Sequence, residues 1–327
     1  MAIRQCFAIV MLGLALVPEA GGQTKGKGAS EATAENVAVN SWRIGMIVTA
    51  NGGAFQRIVG TVAVPMDWPG EQQVRVVEQD LSPRVTVSFQ TIEGVARQML
   101  VKIPHLAAGE EAQAVVTFQV KRFLSSPPED TDIFALPTAR RMDRKFAPFL
   151  GPSPYIESNS PEVIETARQI GTDKEKAWEK VEALYDWVRA KIKFEDNRGG
   201  TVKTTLATLH DATGDCDEMG SLFVALCRAN SIPARLVRVP GHCYPEFFLL
   251  DRDNKGHWFP CQAAGTRAFG SMPDPRPILQ KGDNVLAAEP GSKKKTRARF
   301  LPETLIGLPS GRGGALKLKL VCEPAKG

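Results

Sequence analysis

The sequence has no C-x-x-C pair, no second apolar run near the length of a membrane span, only four histidines, and a small excess of positive charge over 327 residues. Each shortage excludes something. Without cysteines paired at metal spacing, a structural zinc site is not expected, and no metal or other cofactor is called for. Without another stretch of ~20 apolar residues, no transmembrane span is expected. Lys+Arg 41 against Asp+Glu 36 leaves a net charge of +5, much of it in Lys293–Arg299. That imbalance is too mild and too local to suggest a nucleic-acid partner. Four histidines leave a short list of bases for any acid–base chemistry: His105, His210, His242 and His257.

What is present begins with a leader. Arg4 precedes an apolar run from Cys6 to Val17, and Pro18, Ala20 and Gly22 follow. This is the order of a secretory signal peptide, so residues 1–22 are expected to direct export to the periplasm or the exterior. No cysteine stands just after the run to carry a lipid anchor. Removal of the leader leaves Cys216, Cys227, Cys243, Cys261 and Cys322. An odd number in an oxidising compartment leaves at least one thiol free or intermolecular, which a catalytic thiol would explain.

Residues 23–40 are small and polar and read as a flexible lead-in. From 41 to 123, short apolar runs of period two recur between Pro, Gly and Asp/Asn: Ile58–Val64, Val74–Val77, Val85–Phe89, Gln98–Ile103 and Val115–Val120. Alternation of this kind predicts half-buried antiparallel strands, here a β-sandwich of immunoglobulin-like size. His105, after Pro104, reads as a surface loop residue. Residues 124–154 form a Pro/Ser-rich linker whose basic patch is Arg140, Arg141, Arg144 and Lys145. Ser160 and Pro161 suit the start of a helix, and Thr172 to Glu175 suits a capping box opening a second helix that runs to about Lys193. Trp178, Tyr185 and Trp187 on that helix read as core aromatics. After a turn at Asn197–Gly200 comes a helix ending near Asn230, then strands Ala234–Val239, Glu246–Leu250 and His257–Gln262, with a turn at Asp251–Gly256. Helices followed by an antiparallel sheet predict an α+β domain over 155–265. Residues 266–327 read as a basic, Gly/Pro-rich, irregular extension ending in a strand at Leu316–Val321.

The stretch GDCDEMGSLFVALCRANSIPAR, Gly214–Arg235, concentrates the chemistry. Met219, Leu222, Phe223 and Leu226 recur at helical spacing, so Cys216 stands at a helix N-terminus. Unpaired backbone N–H groups and the positive end of the helix dipole favour a thiolate there, and the thiolate is the nucleophile. A buried, inert core thiol is the competing reading. A cysteine nucleophile needs a base and a group that orients it. His242 has the best context, since it opens the strand that follows; His257 and His210 are weaker.

Together, GDC, SLFVALCRANSIPAR, GHCYPEFFL and GHWFPCQ resemble the transglutaminase-like superfamily, a branch of the papain-like cysteine enzymes. The resemblance spans about residues 155–265 and includes DWVRAKIKF (Asp186–Phe194) in the helices ahead of the cysteine. It implies a papain-like core with Cys216 as nucleophile and His242 as base, and it sets Tyr244 and Glu246 on the aromatic and acidic positions of the His strand. Asp215, Tyr244, Glu246 and Trp258 are then expected to support the site or its substrate. The pattern breaks at the third position, where Gln262 replaces the usual Asp four residues after Trp258. An amide oxygen can orient an imidazole but brings no negative charge. Asp251 and Asp253 are fallback candidates.

The implied chemistry is acyl transfer through a Cys-His-Gln site: thiolate attack on a carboxamide or peptide carbonyl of a protein or peptide substrate, release of the amine, and resolution of the thioester by an amine (transferase) or water (hydrolase). The Cys216 N–H would contribute to an oxyanion hole. The alternatives are a catalytically weak or inactive module that binds protein or peptide, and a secreted cysteine protease. Cys243 and Cys261 flank His242 and Gln262, so alternation sends both to one face, where a cross-strand disulfide is conceivable. Cys227 reads as core.

Overall fold

The computed structural model describes residues 36–138, 144–197, 200–288, 294–311 and 313–326. The expected leader, most of the lead-in, and Arg140 and Arg141 lie outside the described residues. Six strands come first: β1 (Val37–Asn51), β2 (Phe55–Val64), β3 (Gln72–Leu81), β4 (Thr86–Ile92), β5 (Ala96–Leu106) and β6 (Glu111–Phe123). In β1 the even-numbered Trp42, Ile44, Met46, Val48 and Ala50 are buried while Arg43, Ile47 and Thr49 are less covered, the signature of a strand with one face on a core. β1 starts at Val37, inside the stretch expected to be a lead-in. His105 lies within β5, not in a loop, although it is exposed as expected.

The middle of the chain is helical. After a 3₁₀ turn at Arg144–Phe149 come α1 (Pro161–Gln169), α2 (Ala177–Lys191), β7 (Lys193–Phe194), α3 (Thr205–Asp211), β8 (Thr213–Gly214) and α4 (Cys216–Ala229). The Ser160-Pro161 pair does open α1. The Thr172–Glu175 box is not used: Lys174 N–H closes a turn on the Gly171 carbonyl, and α2 starts later, behind Lys176. Trp178 and Tyr185 are buried in the core and Trp187 packs against it.

The remaining strands are β9 (Ala234–Val239), β10 (His242–Leu250), β11 (Gly256–Gln262), β12 (Ala268–Phe269), β13 (Gln280–Lys281), β14 (Val285–Ala288), β15 (Lys295–Ala298), β16 (Thr304–Pro309) and β17 (Ala315–Pro324). The architecture is α+β. One sheet runs β17-β1-β6-β3, and a second runs β12-β11-β10-β9-β13-β5-β2-β16, with β4 on β5. The first sheet packs on the β5-β2-β16 end of the second around Met46, Phe118, Val62 and Met99. The C-terminal segment is more regular than its composition predicts, because β17 pairs along β1 and β16 along β2, adding an edge to each sheet of the sandwich. No described helix is long and apolar enough to cross a membrane.

Helix α4 is apolar almost all round, and such a helix must be central. It lies on β9 and β10, with α1, α2 and α3 on its other sides. Leu222, Phe223, Val224 and Leu226 are all fully buried, each contributing about 1.5–3 kcal/mol. Gly220 allows the close approach to the sheet: a methyl there would press on Leu236 Cδ2 at 3.1 Å. The far end of α4 is tied down by Arg228, which donates to both Asp283 oxygens at 2.8 and 2.9 Å with neither side chain exposed.

Beside this, β13 stitches the two halves of the long sheet, with Gln280 opposite both Arg238 and Ala96. Its Lys281, only 1% exposed, bridges Glu246 at 2.7 Å and Glu71.

Removing one partner of a buried ion pair leaves an uncompensated charge. Asp283→Ala should therefore lower the free energy of unfolding by about 3–5 kcal/mol. Glu195→Gln, which breaks an exposed pair with Lys193, should change it by less than about 1 kcal/mol. Urea unfolding followed by circular dichroism measures both.

Candidate active site at the start of helix α4

The site begins with the way α4 starts. Asp215 is the N-cap, accepting from Asp217 N–H at 2.7 Å, while Glu218 reaches back to Asp215 N–H at 2.9 Å, a full capping box. Glu218 also takes Lys203 N–H. Burial, and then hydrogen bonding with Glu218, push the Asp215 carboxyl up to about 7. Burial pushes Glu218 the same way, but its hydrogen bonds from the Asp215 side chain and the Asp215 and Lys203 N–H groups win and leave it lowered. Asp215, one of the residues expected to support the site, is the cap immediately before Cys216.

Cys216 is partly covered, at the first turn of α4. Its thiol is drawn down to about 5, chiefly by a hydrogen bond from Cys243; burial opposes this, and a hydrogen bond and the charge of His242 add to it. The Cys216 and Cys243 sulfurs and an Asp217 carboxylate oxygen all lie within 4.8 Å of one another. The Cys243 thiol also lies 3.3 Å from Asp217 Oδ1 and 3.6 Å from the Cys216 carbonyl. That hydrogen bond to Cys216, and then burial, push the Cys243 thiol well above its ordinary range.

The faces of β10 explain the pairing. Cys243, Phe247 and Leu249 point into the core that holds α4, whereas Tyr244 packs on the other side with Val237, Val239, Met272 and Ile278. The residue directly under Cys216 is therefore Cys243, and His242 reaches the thiol from the strand's first position. Gly241, at φ +66°, supplies the left-handed turn ahead of it, a conformation that favours glycine. His242 Nε2 is buried with no hydrogen-bond partner among the described residues.

Gln262 ends β11. Its backbone carbonyl accepts from Tyr185 Oη at 2.8 Å and Arg189 Nη1 at 3.0 Å. The pairing Glu246↔Pro260, continued along the strands, sets Gln262 opposite Tyr244, two residues from His242. Its amide nitrogen lies beside Gly265, and no hydrogen bond joins it to His242. Asp251 sits at the far end of β10, where it takes Asp253 and Lys255 N–H and His257 Nε2, so it holds the turn. Asp253 is exposed in the same turn. His210 pairs with Glu162 at the surface.

Glu246 and Tyr244 are each 1% exposed. Burial would raise the Glu246 carboxyl, but Arg235 and Lys281 outweigh it and hold it at about 2. Both residues brace the sheet and do not face solvent. Trp258 stacks under the Arg235 guanidinium at 3.9 Å and against Phe248 and Phe149. Cys243 and Cys261 share a face but are not bonded: both are free, and the register offsets them by two residues, so Cys261 Sγ meets the Pro245 carbonyl instead.

Sequence reading missed three neighbours. Cys243 was visible beside His242, but its direction depends on which face of β10 carries the helix. Arg299 is 6% exposed; its Nη2 donates to Asp217 Oδ1 and to the Asp217 carbonyl, each at 2.9 Å, and lies 3.9 Å from Cys243 Sγ. Its Nε and Nη1 are buried without partners among the described residues. Asp274 carries a carboxylate that burial would raise but that Arg276, and then the charge of His242, hold low; Arg276 also donates to the Pro240 carbonyl just ahead of His242. Neither residue belongs to a recognisable spacing.

Iodoacetamide at about pH 6 should label Cys216 well ahead of the exposed Cys322, because only the thiolate reacts. Labelling of Cys216 should fall away as the pH drops through about 5. Cys227 and Cys261, whose thiols burial pushes upward, should stay unlabelled until the chain is unfolded. Peptide mapping by mass spectrometry reads each site.

Residues 164–263 match the family model of the transglutaminase-like superfamily. Among solved structures, the chain is similar to a proposed cysteine protease from Cytophaga hutchinsonii, at 15% identity and a TM-score of 0.57, covering 89% of this chain and 92% of that one. Weaker likenesses are to a proposed protease from Parabacteroides distasonis, at 13% identity, TM-score 0.29 and coverage of 67% and 43%, and to the periplasmic domain of TgpA from Pseudomonas aeruginosa, at 12%, 0.33, and 67% and 89%. No curated protein matches the chain. The matched span runs from α1 past the end of β11 and contains the capped cysteine helix and the sheet it lies on, so residues 164–263 are a transglutaminase-like domain.

Proposed function

We propose that this protein is an exported, thiol-dependent acyl transferase or hydrolase acting on carboxamide or peptide bonds of a protein or peptide substrate. The observation that carries the reading is the Cys216 thiol, fixed at a capped helix start and drawn down to about 5 by Cys243 and His242. A thiolate so held is nucleophilic at neutral pH without a prior proton transfer. It attacks the carbonyl carbon, His242 gives a proton to the leaving amine, and a thioester forms on Cys216. An amine or water then resolves it, with His242 taking a proton from the incoming group.

The capping box uses the Asp215 and Asp217 N–H groups, and the Cys216 N–H is the donor proposed for the oxyanion. Gln262 is the third member in this reading: its amide, which makes no hydrogen bond to His242 in the free protein, orients the imidazole once substrate is bound. Asp274 supplies the negative charge that the amide lacks. The arginine and apolar run of residues 4–17 support export.

The unmet Nε2 of His242 favours a second reading, a module that binds peptide and turns it over weakly or not at all. Ammonia release from glutamine-containing peptides, with and without a primary amine, together with mass spectrometry of peptide-bond cleavage, separates the two. The enzyme reading expects turnover that Cys216→Ala reduces to background and that His242→Ala lowers by about 10²–10⁴-fold. Binding of the peptides without Cys216-dependent turnover of either bond would favour the second reading instead.

A further inference from the structure

Three groups cluster at the start of α4 without making or breaking a bond in acyl transfer: the Cys243 thiol, which acts there only by hydrogen-bonding Cys216, the Asp217 carboxylate and the Arg299 guanidinium. We propose that Cys216 and Cys243 form a reversible oxidative modification site, at which a hydroperoxide oxidises Cys216 to a sulfenic acid and Cys243 then closes a disulfide with it. The proposal rests on Cys216 being the reactive thiol of the site.

The geometry supplies each component. The two sulfurs lie within 4.8 Å of one another, so side-chain rotations that shift them by about 3 Å or less close them to bonding distance. Both residues stand near the ends of their elements, Cys216 in the first turn of α4 and Cys243 second in β10. Cys216 is the partly exposed thiol that a small oxidant can reach, and Cys243 is buried behind it. A low-pKa, accessible cysteine next to a second thiol is the arrangement in which sulfenic acid is trapped as a disulfide before it is oxidised further. Cys227 and Cys261 are buried away from this cluster, and Cys261 Sγ faces the Pro245 carbonyl. A bound cation is a poor fit for the same three ligands, because Arg299 already places its charge 2.9 Å from Asp217 Oδ1 and 3.9 Å from Cys243 Sγ.

The chemistry balances in two steps. The Cys216 thiolate attacks one peroxide oxygen; the S–O bond forms, the O–O bond breaks, and the leaving oxygen takes a proton to become an alcohol or water. Cys243 then passes its proton to Asp217, 3.3 Å away, with the neighbouring Arg299 charge favouring the sulfur anion. The Cys243 sulfur attacks the Cys216 sulfur, the S–S bond forms and the S–O bond breaks. The departing hydroxide collects the proton from Asp217 and leaves as water. Two thiols are oxidised, and the peroxide is reduced to an alcohol, or water, plus water. Reduction by an external dithiol restores both thiols.

The test is intact-mass and peptide mass spectrometry of the full chain after brief treatment with hydrogen peroxide, followed by non-reducing digestion. The wild type should lose two hydrogens, yield a peptide pair linked through Cys216 and Cys243, and recover with dithiothreitol. Cys243→Ser should instead gain oxygens on Cys216 that dithiothreitol does not fully remove. Cys261→Ser should behave like the wild type, and circular dichroism confirms that both variants are folded. Direct progression of wild-type Cys216 to sulfinic acid, or a link from Cys216 to any cysteine other than Cys243, would overturn the proposal. The readout needs no substrate, so a linked peptide in a chain without Cys216-dependent turnover would sink the enzymatic reading alone.

Discussion

The half of this molecule that carries Cys216 is arranged around a helix that has no solvent-facing side to give away. Because α4 is apolar on nearly its whole circumference, it must be enclosed, and enclosure demands a sheet beneath it and helices around it. Its two ends, where backbone groups lack partners, are then the places where polar chemistry has to be settled. At the C-terminal end, Arg228 donates to the Ala234 and Gly151 carbonyls and is neutralised by Asp283. At the N-terminal end, Asp215 and Glu218 satisfy the amides and leave Cys216 at the edge of the enclosure, half covered and beside His242 and Cys243. The position of the Cys216 thiol is a consequence of how a buried helix is allowed to begin.

The C-terminal segment closes this arrangement. Asp283, Lys281 and Arg299 come from a part of the chain far from the cysteine motif, yet they meet Arg228, Glu246 and Asp217 in and around the helix and its sheet. β13 pairs with β9 on one side and β5 on the other, so the sheet under the site and one sheet of the sandwich are continuous. The sandwich is in turn edged by β16 and β17. Charges buried in this way contribute through their mutual neutralisation, and losing one exposes the cost of burying the other.

The sequence displayed the local rules and concealed the long-range ones. Period-two and helical apolar patterns marked most strands and the helices near the places they occupy, and the G-D-C start of α4 was readable because an N-cap and a dipole act over one turn. The face of β10 that receives α4 was not readable, since strand alternation separates Cys243 from Tyr244 without saying which side carries a helix. That ambiguity left a bond between Cys243 and Cys261 open, whereas the structure turns Cys243 to Cys216. Arg299 looked like part of a basic surface run, because nothing local reveals that a charged side chain will be enclosed by an element 82 residues away. Tyr244 and Glu246 were recognised by position, and only packing showed Tyr244 in an apolar cluster and Glu246 in a buried ion network. The capping signal at Thr172 was outcompeted by the turn at Gly171.

The account stands on the ionisation of one thiol in its folded surroundings. The most direct measurement is the ultraviolet absorbance of the thiolate, followed from acid to alkaline pH as the difference between wild type and Cys216→Ser. A step centred at about 5 that vanishes in the variant is the predicted result. A single step near the ordinary cysteine value of about 8.5 would contradict it, and would make Cys216 an ordinary thiol at the end of a well-packed helix.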